Sequence, residues 1–322
     1  MHGGSGLHGQ LVQGRGNTDK GEPRVPPLHT LDLFAGAGGS LLAGAMLGWA
    51  AVAAVEIDPF CRAILAHRWP NLELHDDVRT FPAERYVGID IVTAGFPCQP
   101  FSLAGKRRGA DDERNLWPDT ARVLRLVRPG IAFLENTPGL VASGYLETVL
   151  GDLASLGFDA EWTVLSAQDV GAPHLRERVW ILAYTNGRGL EEHQQRNGRQ
   201  IIEECRARWR NAVRCDVGDA LRDRLQGQAH REAGCLPLAA SPPSQPRLGR
   251  DSDELARWLD SPTRWPARRG APQEAWEPPR AVTGKDTQRN RRLKALGNGW
   301  VPHQAVEAFR ILAQAVTTQQ PT

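Results

Sequence analysis

Up to Tyr184 the chain alternates short apolar runs with longer stretches in which apolar residues recur every three to four positions. His29–Phe34, Ala51–Ile57, Ile89–Ala94, Ile131–Glu135 and Val179–Ala183 read as strands, rich in β-branched and aliphatic residues. Ser40–Leu47, Pro59–Trp69, Thr120–Val127 and Tyr145–Leu156 read as helices. Strands and helices alternating at this spacing predict an α/β fold with a doubly wound, parallel sheet. The pattern dissolves after Tyr184. From Thr185 to about Arg292 the sequence is polar and rich in Arg, Gln and Pro, with Trp209, Trp258, Trp265 and Trp276 scattered through it. Helical periodicity returns over His303–Val316, so an α/β body is interrupted by an insert and completed by a C-terminal helix. No internal repeat is visible.

Length and composition narrow the class. A chain of 322 residues buries one good-sized core, or one core and a smaller lobe. With 41% hydrophobic and 24% charged residues it is an ordinary globular composition, and no apolar run approaches the ~20 residues of a membrane span. Met1–Pro27 is rich in Gly and polar residues without an apolar signal core, which reads as a flexible tail or an over-extended translation start. The five cysteines show no C-x-x-C spacing, so neither a disulfide framework nor a metal site is expected, and the compartment implied is a reducing cytoplasm. Charge is uneven: residues 187–294 hold 22 Lys and Arg against 15 Asp and Glu, and the rest of the chain 17 against 22. That asymmetry fits a polyanion-binding lobe beside an acidic body, and equally a solvated surface in an Arg-biased chain.

Candidate chemistry gathers where strands end. Gly95-Phe96-Pro97-Cys98-Gln99-Pro100-Phe101-Ser102 follows the Ile89–Ala94 strand. Pro97 and Pro100 fix their own φ and push Phe96 and Gln99 towards extended backbone, which holds the Cys98 thiol on a stiff loop at the carboxyl edge of the sheet. Unflanked, such a cysteine is more often a small buried hydrophobe. Asp32-Leu33-Phe34-Ala35-Gly36-Ala37-Gly38-Gly39-Ser40 is a glycine-rich strand-to-helix turn, and Glu56 follows it by about 20 residues. A carboxylate at that distance commonly accepts from ribose hydroxyls, which favours an adenosine-containing cofactor. The glycines do not fit G-x-G-x-x-G and there is no P-loop lysine, which disfavours phosphate-rich cofactors. Asp76-Asp77-Val78 offers a carboxylate to an adenine amino group, or a plain turn. Glu135-Asn136-Thr137-Pro138 leaves the end of a strand, on the same edge as Cys98 if the sheet is parallel. Arg176 and Arg178 lie at i and i+2, on one face if extended, with catalytic and structural ion-pair roles both open.

In this order, these blocks resemble the C5-cytosine DNA methyltransferases over about residues 29–184 and 293–316. Gly297-Asn298-Gly299-Trp300-Val301-Pro302 is similar to the family's closing Gly-Asn block. Departures are His174 where glutamine is usual, Thr137 where valine is common, and Trp300 in place of a smaller residue. The resemblance implies a Rossmann-like, S-adenosylmethionine-dependent core at 29–184 plus 293–322, a tail at 1–28 and a small target recognition domain at 185–292. It implies cofactor contacts from Phe34, Gly36, Gly38, Gly39, Glu56, Ile57, Asp77, Val78, Pro97, Asn298 and Trp300. It implies catalysis by Cys98, Glu135, Arg176 and Arg178, with no metal. The expected partner is double-stranded DNA, with a cognate restriction endonuclease as functional companion to a cytoplasmic monomer. A tRNA cytosine methyltransferase and a catalytically inactive DNA-binding regulator are the alternative readings.

Overall fold

The computed structural model describes residues 27–97, 115–186, 196–209 and 288–318. Strands β1 (Leu28–Leu33), β2 (Trp49–Val55), β3 (Glu73–His75), β4 (Ile91–Ala94), β5 (Ile131–Asn136), β6 (Phe158–Ser166) and β7 (Glu177–Thr185) form one sheet in the order β3-β2-β1-β4-β5-β7-β6. The connecting helices are α1 (Gly39–Met46), α2 (Pro59–Arg68), α3 (Trp117–Val127), α4 (Gly139–Ala142) and α5 (Tyr145–Ser155). A helix over 198–209, here α6, precedes α7 (Arg289–Asn298) and α8 (Pro302–Thr318).

The expected all-parallel sheet needs correction. Strands β1 to β5 are parallel, but β7 runs antiparallel to both β5 and β6. The cause is connection length. Only residues 167–176 join β6 to β7, too few for the dozen or more that a parallel crossover requires. Strand β6 itself was not anticipated. It is an edge strand whose Trp162 and Val164 stay exposed, so its sequence lacks the continuous apolar run of the central strands. The central strands β4 and β5 are buried at every position.

Two layers cover the sheet. On one face Phe81, Phe96, Trp117, Leu124 and Leu153 pack over β1, β4 and β5. On the other, Trp49, Phe133, Trp180, Leu182 and Phe309 form a second core. α6 contributes Ile201, Ile202 and Cys205, all fully buried, to this second core. Arg199 reaches the Val316 carbonyl at 3.2 Å, and Arg206 donates to the Thr317 hydroxyl. α6 falls inside the stretch expected to be the insert, yet it packs as part of the body. The periodicity there is masked in sequence by four arginines between 196 and 208, two of which, Arg199 and Arg206, reach across to α8.

Register decides where the sheet can act. Leu33 pairs with Val55 and Ala94, and Ala94 with Leu134, so the segments after β1, β2, β4 and β5 leave from one edge. The chain order reverses between β1 and β4, the position at which open α/β sheets form a crevice. Because β7 is antiparallel, its start also lies at this edge: Asn136 pairs with Val179.

α8 closes the second face through Phe309, whose ring meets Trp49 at 4.9 Å and Phe133 at 5.3 Å, edge-on in both cases. Phe309→Ala is expected to lower stability by about 3–5 kcal/mol, read from the denaturant midpoint. A loss of less than ~1 kcal/mol would contradict the closing role of this helix.

Candidate active site

The glycine turn and the two strands beside it build one half of the crevice. Phe34, Gly36 and Gly38 all take positive φ, which bends the chain sharply off β1 into α1. Glu56, one residue past β2, is buried. Its Oε2 accepts from the Gly36 amide and its Oε1 from the Asp58 amide, both at 2.7 Å. Each oxygen has further acceptor capacity, an arrangement suited to a pair of neighbouring hydroxyls. Ile57, immediately after it, is 62% exposed and offers an apolar flank. Asp58 caps α2 by accepting from the Phe60 amide at 2.9 Å, with Pro59 in the first helical position.

Asp77 follows β3, which pairs with β2, and so lies on the same side of the crevice as Glu56. Arg79 grips both of its oxygens, at 3.0 Å and 2.6 Å, and holds the carboxyl below its usual range. Val78 is buried against Phe81 and the first core, so its side chain is structural and only its backbone faces outward chemistry. Its carbonyl accepts from Arg122 at 2.6 Å.

The other half comes from β4, β5 and β7. Gly95, Phe96 and Pro97 continue β4, and Cys98 lies outside the described residues. Asn136, at the end of β5, donates from Nδ2 to the Phe96 carbonyl at 3.0 Å and accepts from the Thr137 amide at 2.8 Å. One amide side chain thus fixes the backbone two residues before Cys98 while turning the chain out of β5. Glu135 is buried, and Arg178 donates from Nε to its Oε1 at 2.6 Å. Burial raises the Glu135 carboxyl above its ordinary range; the Arg178 and Arg176 charges oppose that rise without cancelling it.

Arg176 does something different from Arg178. It precedes β7 with φ of 20°, so the two arginines are not the extended i, i+2 pair expected. Its Nη2 donates to the Gly299 carbonyl at 2.6 Å, while its Nε is buried without a partner among the described residues. The Arg176 carbonyl accepts from the Ala167 amide at 3.1 Å and from Gln304 Nε2 at 3.0 Å. Gln304 is fully buried and also bonds the Leu165 carbonyl. Sequence reading passed over Gln304; a glutamine on the apolar face of an amphipathic helix is the signal that marks it.

The closing block reaches both halves. A Cβ on Gly39 would stand 2.5 Å from the Trp300 carbonyl oxygen. One on Gly95 would stand 2.7 Å from Trp300 Nε1 and 3.1 Å from Glu135 Oε2. Those two glycines are therefore required by close approach, not by turn geometry. The Trp300 ring packs edge-on to Trp180 at 5.0 Å and Phe133 at 5.5 Å. Asn298, at the end of α7, is exposed. Among the described residues, no three His, Cys, Asp or Glu side chains gather as a metal site.

A sequence profile of the C-5 cytosine-specific DNA methylases matches residues 28–231. The chain belongs to that family. It is 38% identical over 161 residues to the type II methyltransferase M.NgoMIV of Neisseria gonorrhoeae, covering 49% of this chain and 52% of that protein. It is 35% identical over 167 residues to M.NaeI of Lentzea aerocolonigenes, covering 49% and 40%, and 32% identical over 177 residues to M.HhaI of Haemophilus parahaemolyticus, covering 54% of each. The chain thus spans about half the length of the curated relatives it matches.

In this methylase-family chain the Glu135–Arg178 pair generates a pH-dependent prediction. Arg178→Gln strands a buried carboxylate and is expected to cost about 3–5 kcal/mol near neutral pH. Glu135 has a raised folded-state pKa, so its protonated form favours the fold, and that contribution is lost as pH rises through the raised value. The penalty of Arg178→Gln should therefore shrink on acidification towards the ordinary carboxylate range. Chemical unfolding of both proteins across pH checks this; a penalty independent of pH contradicts it.

Proposed function

We propose that this chain is a DNA (cytosine-5) methyltransferase of the restriction-modification kind, with S-adenosylmethionine as cofactor and a flipped-out cytosine in duplex DNA as substrate. The observation that carries the reading is the placement of Glu135 and Arg178, paired at 2.6 Å, beside the Gly95–Pro97 segment that leads to Cys98. The cofactor half supports it. Glu56 has acceptor capacity for ribose hydroxyls, Ile57 an apolar flank for adenine, and Asp77 a carboxylate for its amino group. Phe34, the glycines and the closing block frame the space between. When bound, the cofactor supplies an electrophilic methyl group on a sulfonium.

Cytosine C5 is too weak a nucleophile to take that methyl unaided. The Cys98 thiolate would add to C6, while Glu135, whose raised pKa suits it to hold a proton, would protonate ring N3. The addition converts the ring to an enamine with electron density at C5, which takes the methyl. Loss of the C5 proton to solvent then re-forms the C5–C6 double bond and expels Cys98 as thiolate, and N3 returns its proton to Glu135. Arg178 orients the Glu135 carboxyl and would stabilise charge developing at the exocyclic carbonyl oxygen O2. Arg176 braces the closing block, so its part is positioning the groups around the ring. Extrusion of the base costs a few kcal/mol, which contacts from the basic segment 102–114, with Lys106, Arg107 and Arg108, and from the Arg-rich insert would offset. Residues 102–114 and most of the insert lie outside the described residues.

Transfer of tritiated methyl to unmethylated genomic DNA tests the reading. Cys98→Ala should abolish transfer while S-adenosylhomocysteine still binds, and Glu135→Gln should slow it by about 10²–10⁴. Turnover by Cys98→Ala, or methylation of tRNA in place of DNA, would overturn it.

A further inference from the structure

The Asp32 carboxylate is sealed inside the fold, 1% exposed, one residue before the end of β1. Its Oδ2 accepts from the Ser40 hydroxyl in the first turn of α1, and its Oδ1 from the Thr93 hydroxyl on β4 at 2.8 Å. Ser40 stands directly after the glycines of the turn. Thr93 stands two residues before Gly95. One carboxylate therefore ties the helix that ends the cofactor turn to the strand that carries the Cys98 loop.

Hydroxyl-to-amide bonds would tie the same elements without a buried charge, whose sequestration from water is unfavourable. The charge calls for its own explanation. The groups facing Asp32 are the Ser40 and Thr93 hydroxyls and, from the end of β2, the Glu56 carboxylate. No cation is among them, so the negative charge has no counter-ion among the described residues. Burial, with a smaller push from Glu56, raises the carboxyl to about 7 against the two hydroxyl donors. The ionised form takes both hydroxyl protons; the protonated form must turn its own O–H towards one of them and loosens the tie.

We propose that Asp32 is a positioning residue whose carboxylate locks the glycine turn to the end of β4 and supplies a fixed negative charge favouring a sulfonium cofactor over its neutral thioether product. The proposal rests on the S-adenosylmethionine reading above. An uncompensated charge in a low-dielectric site acts over several ångströms, and here the ligands it distinguishes differ by one positive charge. A gain of this kind would limit inhibition by the product that accumulates with each turnover.

The test is equilibrium binding of S-adenosylmethionine and S-adenosylhomocysteine to the full chain by calorimetry, from about pH 6 to about pH 8. The wild-type preference for the sulfonium should grow about fivefold as Asp32 ionises, whereas in Asp32→Asn the preference should follow a flatter course. Titration of the ligands' own amino groups is common to both proteins and cancels between them. Parallel profiles overturn the proposal and leave the cofactor reading standing. Binding of neither ligand by the wild type sinks the cofactor reading and the proposal with it. Should Asp32→Asn fail to fold, Thr93→Val removes one donor to the ionised form. It should move the midpoint of the profile to higher pH, and an unmoved midpoint overturns the proposal.

Discussion

The site depends on the antiparallel pairing of β7 with β5. A parallel β7 would have placed its start, and hence Arg178, at the far end of the sheet from Glu135. The short return from β6 instead delivers the guanidinium to the edge where β5 delivers the carboxylate, with Asn136 opposite Val179. Neither charge is tolerable alone at that depth. Bonded at 2.6 Å, each provides the other's compensation, and Glu135 keeps the raised proton affinity that its burial imposes.

A second constraint comes from the chain's end. α8 crosses the sheet's second face and carries Gln304, which holds the carbonyl of Arg176, whose side chain in turn holds the carbonyl of Gly299. The closing block therefore has no independent position. It is set by the same strand start that sets Arg178, and it hands that position on to Gly39 and Gly95 through Trp300. Residues far apart in sequence are coupled because each fills a polar vacancy that another leaves. The strained φ of Arg176 falls at the centre of this arrangement, where surrounding bonds over-determine it.

How much of this was legible follows from which forces the sequence displays. Central strands such as β5 are buried on both faces and advertise themselves as apolar runs. The glycines and prolines of the turns advertise backbone geometry. β6 was missed because only its two end residues are fully buried and Asp159, Trp162 and Val164 are exposed, and α6 because arginines surround its buried Ile201, Ile202 and Cys205. Glu135 and Arg178 were legible as candidates, but their pairing was not, since it depends on a strand direction set by loop length. Asp32 and Gln304 show the deeper limit. Asp32 looks in sequence like any surface carboxylate and Gln304 is marked only by its place on an apolar helix face, while their partners, at Thr93 and at Leu165, come only with the fold.

The distribution of charge gives the crevice a direction. Asp32 and Glu56 place two buried carboxylates on the β1–β2 side, where Arg62 donates to the backbone carbonyls of Glu56 and Ile57, whereas Arg176 and Arg178 face a single carboxylate on the β5–β7 side. A field set up this way runs across the gap between β1 and β4. It favours positive charge over the glycine turn and negative charge near the start of β7. The proposed methyl transfer, from a sulfonium to a cytosine activated by thiolate addition, would have that polarity: cationic donor on one side, electron-rich ring on the other. Preorganised charges of this kind need not reorient as the reaction proceeds, which is how a rigid sheet edge contributes to rate without moving. The cost of holding five ionisable groups at one edge is borne by the apolar layers on both faces, and the ordering of those layers by Phe309 and Trp180 is what keeps the edge from relaxing into solvent.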